Sequence, residues 1–70
     1  MTPAMLRQLW SLVENAQSTT ILNQDDSSLV QWLLARLSEQ CSLAAEDVEL
    51  VSHYIRSRTP LIREIAAAQG

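Results

Sequence analysis

Cys41 and His53 are the only thiol and the only imidazole in this seventy-residue chain. A Cys–His pair can form an activated nucleophile if the fold brings the two into hydrogen-bond reach. Their surroundings argue against that use. Cys41 continues the apolar face of a predicted helix, where a small buried thiol is the ordinary outcome. His53 follows Glu49 by one helical turn on a polar face, which makes an exposed i,i+4 pair. The carboxylate pairs Asp25-Asp26 and Glu46-Asp47 stand at predicted helix starts, and favouring the positive end of a helix dipole accounts for them. The chain has one Gly, so it cannot build a Gly-rich phosphate loop. No Cys/His cluster has the spacing of a structural metal site. The expectation is a protein with no catalytic residues, no cofactor and no metal: not an enzyme.

The other chemistry on offer is cationic. Arg56, Arg58 and Arg63 fall within eight residues, and the chain has five Arg and no Lys. Guanidinium groups suit bidentate contact with carboxylate or phosphate. The set is a possible contact for an anion or an acidic partner, and it motivates a second reading as a small nucleic-acid-binding regulator. Against that reading, the net charge is −3, whereas general nucleic-acid or anionic-membrane binding needs a basic surface. The predicted second helix carries only Arg36 between Leu29 and Leu37, so it is no basic recognition helix. A solvated face balancing an acidic body is the simpler account.

These residues sit on helices. Strand alternation and Asn-Gly or Asp-Gly turns are absent, and apolar residues recur at three- and four-residue steps. Thr2 and Pro3 make a helix start, as cap and first residue. Met5, Leu6, Leu9, Leu12, Val13 and Ala16 then form one face, which predicts a helix over 3–17. Ser18-Thr19-Thr20 reads as a connector, with Ile21 and Leu22 packing down as a plug. Asn23 with Asp26, or Asp26 itself, caps a second helix over 24–40, whose stripe is Leu29, Val30, Leu33, Leu34, Leu37 and Cys41. A third helix over 45–68 follows a weak cap at Ala44, supported by Asp47 at its third position. Its stripe is Val48, Val51, Ile55, position 58, Ile62 and Ile65.

Pro60 leaves two alternatives. Either Thr59-Pro60 opens a fourth helix, or one long helix continues with a kink. The unbroken apolar phase favours the second. It also puts Arg58 on the apolar stripe, where its charge must snorkel or pair with Glu14 or Asp25; alternatively the kink turns Arg58 into water. The predicted fold is all-α: residues 1–70 form a single domain, a small three-helix bundle, or four-helix if Pro60 breaks the chain.

Size supplies the functional expectation. A domain this short buries only about 60% of the surface its unfolded chain exposes, and a lone Cys41 cannot form a disulfide within it. Yet 47% of its residues are hydrophobic. Some of that surface should be shared with another chain, in a homodimer or on a larger protein. Trp32 lies off its helix's stripe, followed by Arg36 one turn on, as interface anchors do. Leu50 and Leu61 widen the last helix's apolar stripe beyond one small core's needs. With Tyr54, these are the expected partner-interface residues: Trp32, Leu50, Tyr54 and Leu61. No signal peptide or membrane span is read, and a lone thiol fits the cytoplasm.

Four runs also carry a resemblance: Leu9-Trp10-Ser11-Leu12-Val13-Glu14; Asp25-Asp26 with Leu29-Val30-Gln31-Trp32-Leu33-Leu34; Tyr54-Ile55-Arg56-Ser57-Arg58; and Pro60-Leu61-Ile62-Arg63. Across nearly the whole chain they resemble a group of small cyanobacterial all-helical proteins. The resemblance implies a bacterial, cytoplasmic protein and no particular activity.

Overall fold

The computed structural model describes residues 2–69, and these form four α-helices with no strand among them. Helix α1 spans Pro3–Asn15. Thr2 is extended, and its hydroxyl accepts from the Met5 N–H at 3.2 Å, while Pro3 occupies a position where no backbone donor is needed. The helix stops two residues short of the predicted 17. The Asn15 side-chain amide turns back to the Ser11 carbonyl at 2.8 Å, and the backbone becomes extended at Ala16.

The predicted connector is itself a turn of helix: α2 spans Ser18–Leu22. Its β-branched residues are weak helix formers and Gln17 supplies no side-chain cap, so the turn owes its order to tertiary contact. Ile21 is wholly buried, as the plug reading requires, but Leu22 is exposed. The Asn23 N–H and the Gln24 side chain both return to α2, bonding the Thr19 and Thr20 carbonyls. Asn23 thus ends α2, and the next cap is Asp25, in place of the expected Asn23 or Asp26. Asp25 accepts from the Ser28 N–H at 2.8 Å and opens α3, Asp26–Gln40.

Helix α4 spans Ala45–Gln69 without interruption at Pro60. At its start the Asp47 carboxylate takes the Ala44 N–H at 3.2 Å. Pro60 offers no N–H to the Arg56 carbonyl four residues back. Both residues lie on the exposed side of α4, where water can supply the missing donor. The buried stripe differs from the predicted one. It runs Val51, Ile55, Thr59, Ile62 and Ala66, in place of Val48, position 58 and Ile65. Thr59 is tolerated because its hydroxyl donates to the Ile55 carbonyl at 2.9 Å, leaving its methyl for the core. Arg58, one residue away, is exposed.

The core gathers Leu9 and Val13 from α1, Ile21 from α2, Leu29, Val30, Leu33, Leu34 and Leu37 from α3, and the α4 stripe. Helix α4 packs against each of the other three, and α1 also packs against α3. The Cα radius of gyration, 11.2 Å, is what a close-packed chain of this length should have, about 11 Å.

Candidate interaction surface

The long helix has two flanks, and they are built differently. One is closed by Arg63. Its guanidinium donates to the Ile21 carbonyl at 3.2 Å, the Gln24 carbonyl at 2.8 Å and the Asp26 carboxylate at 2.8 Å. Backbone carbonyls at the end of a helix lack intrahelical donors, and Arg63 bonds that of Ile21 in α2 and that of Gln24 in the following connection from 42 and 39 residues away. Asp25 lies in the same corner. Its carboxyl is held below the ordinary aspartate range by the Ser28 backbone N–H, then by the Ser28 side chain, with the Arg63 charge adding to the effect.

The other flank meets α1. The Trp10 indole N–H donates to the Tyr54 hydroxyl at 3.1 Å, and the two rings meet edge to face, with centroids 6.2 Å apart and planes at 82°. Arg58 lies over the Tyr54 ring at 5.4 Å. It therefore pairs with an aromatic face and not with Glu14 or Asp25. Beyond Tyr54 this flank opens: Leu50 is 52% exposed and Leu61 is 44% exposed. At about 100° per residue, Leu50, Tyr54, Leu61 and Ile65 fall within about 60° of one another on the helix. They make a second apolar strip beside the buried one, with Tyr54 and Ile65 half-buried against the core and Leu50 and Leu61 exposed.

Trp32 stands elsewhere. It is half-buried against the core, with Arg36 over its ring at 5.6 Å and Arg36 in turn 3.7 Å from Glu39. With Leu12 of α1 and Ala16 just beyond its end it lines a shallow groove of about 280 Å³. Leu12 and Trp10 lie about 160° apart around α1, so α1 separates Trp32 from Tyr54. The four expected interface residues thus occupy two surfaces.

Arg58 rests on Tyr54, on the opposite side of α4 from Arg56 and Arg63. Those two lie seven residues apart on one face of the continuous helix, but Arg63 is engaged within the chain while Arg56 borders a groove with Val48, Glu49, Ser52 and His53. Cys41 is half-buried at the end of α3. Among the described residues no group of three or more His, Cys, Asp or Glu could hold a metal ion, and no helix is long and apolar enough to cross a membrane.

Sequence reasoning missed the Arg63 corner, the Trp10–Tyr54 bond and the burial of Thr59. Only the last left a local signal: Val51, Ile55, Thr59, Ile62 and Ala66 also step by three and four, with Thr as the methyl-bearing member. No protein-family model, curated protein or solved structure matches the chain.

Proposed function

We propose that this is a small non-enzymatic interaction protein that self-associates through an apolar helix face. The observation that supports the reading is the exposure of Leu50 and Leu61 on the flank of α4 that also carries Tyr54. The core is complete without these leucines, so folding alone does not explain them. Exposed leucines that share one face of a helix with further apolar side chains are what an association site presents. The same reading takes the four helices to close as a bundle with α4 bent at Pro60. A straight helix of its length would span about 37 Å, more than the 32 Å longest dimension, so α4 is either bent or oblique to that axis. A cytoplasmic setting, where Cys41 stays reduced, completes the picture.

The nucleic-acid reading draws less support. Its strongest cation, Arg63, spends its donors on Ile21, Gln24 and Asp26.

Light scattering over a dilution series tests the proposal. The expected mass at high concentration is that of two 7.8 kDa chains, insensitive to salt, and Leu61→Glu returns it to one. A strict monomer at every concentration overturns the reading. DNA binding that falls steeply with salt would put the Arg-based alternative in its place.

A further inference from the structure

Residues 17–24, the turn of α2 with its flanking residues, are tied to the rest of the molecule at two points. Their bonds to one another are local. The Thr20 and Ile21 N–H groups donate to the Gln17 carbonyl, the Asn23 N–H to that of Thr19, and the Gln24 side-chain amide to that of Thr20. Among the described residues, the only hydrogen bonds joining this segment to another helix are the two from Arg63, to the Ile21 and Gln24 carbonyls. Within the segment only Ile21 is buried. The turn packs chiefly against α4. Extended backbone bounds it, at Ala16 and Gln17 before and at Asp25 after.

Such a segment does not hold its own shape. Isolated helices shorter than about 12–15 residues are marginal in water. Thr19, Thr20 and Ile21 are also β-branched, which lowers helix propensity further. Freeing the segment removes one side chain from the core and breaks two bonds. Separating α3 from α4 instead exposes Leu29, Leu33, Leu37, Val51, Ile55 and Ile62, all wholly buried. Proteins open locally where buried apolar contacts are few, well below the free energy of global unfolding.

We propose that residues 17–24 form a strap that opens by itself, hinged at Ala16 and Asp25, while α1, α3 and α4 stay packed. Ile21 is its plug and Arg63 its latch. The device does not depend on self-association. The open form exposes what the closed form hides: the apolar seat of Ile21 and the donors that Arg63 gives to Ile21 and Gln24.

Hydrogen exchange read residue by residue by NMR, over a urea series below the unfolding transition, tests this. In the unmodified chain the Thr20, Ile21 and Asn23 amides should share one opening. Their protection should be at least about tenfold below that of Leu33 and Ile55, with a shallower urea dependence because little surface is exposed. Tyr54→Phe weakens the fold from the other flank of α4. It should speed exchange at Leu33 and Ile55 and leave the strap amides unchanged. Arg63→Lys should speed the strap amides by about tenfold, the worth of roughly one lost hydrogen bond. Equal protection and equal urea slope at strap and core overturn the proposal, as does Tyr54→Phe speeding both alike. Strap amides unmoved by Arg63→Lys overturn the latch. If Arg63→Lys does not fold, Asp26→Asn is measured instead, since it removes the carboxylate that steadies the guanidinium. Faster exchange confined to the strap then supports the latch, and no change overturns it.

Discussion

The two flanks of α4 solve the same problem in opposite ways. On the Arg63 side, polar groups at the end of α2 and the start of α3 would face a helix with nothing to offer them. One guanidinium bonds two carbonyls and a carboxylate, and the flank is closed. On the Tyr54 side, Trp10 and Tyr54 satisfy each other, and beyond them Leu50 and Leu61 are left uncovered. A flank with its polar groups paired internally contributes to stability. A flank left apolar and open costs the monomer little and is available to another chain.

Substitutions on the two flanks should therefore separate stability from association. Arg63→Ala should have the largest effect on folding, a loss of about 2–3 kcal/mol, since it strips donors from two carbonyls and a partner from Asp26. Urea unfolding measures it. Arg63→Lys should recover only part, because an ammonium cannot reproduce the guanidinium fork. Tyr54→Phe keeps the ring packing and removes one hydrogen-bond partner, leaving the Trp10 N–H half-buried without an acceptor. A loss of about 1 kcal/mol is expected, together with a change in Trp fluorescence.

Acidification probes the Arg63 corner more gently. The Asp25 carboxyl has its folded pKa lowered, so its contribution is present above the ordinary aspartate pKa of about 3.9. That contribution fades as pH falls through the lower folded value. The Tm should drop on acidification through this window, and Asp25→Asn should flatten that drop. Leu61→Ser should have the smallest effect on folding, within about 0.5 kcal/mol for the monomer, while abolishing the concentration dependence of the mass. A large monomer destabilisation from Leu61→Ser would collapse the distinction between the flanks.

Much of this was legible in the residues. The Thr2-Pro3 start, the stripe of α3 and the passage of one helix through Pro60 all follow from short-range rules of capping and periodicity. The exposure of Leu50 and Leu61 was legible for the same reason: both widen the apolar stripe of α4 beyond what a small core can bury. Other features were not readable at that range. Ser18-Thr19-Thr20 has poor helix propensity, and α2 exists because Ile21 finds a place in the core. The burial of Thr59 in place of position 58 had a local signal, since both stripes step by three and four, but choosing between them takes the packed rotation of α4.

The chain alone determined that the protein is helical, roughly where its helices start, and that its apolar supply is rich for its size. Those are properties of neighbours three and four residues apart, and sequence order specifies such neighbours directly. Only the tertiary structure decided that Arg63 belongs to the fold, that Trp10 meets Tyr54, and that Trp32 and Leu50 face different surfaces. Each of those depends on pairs brought together across all four helices, where the packing of whole helices, not local spacing, sets which side chains can touch.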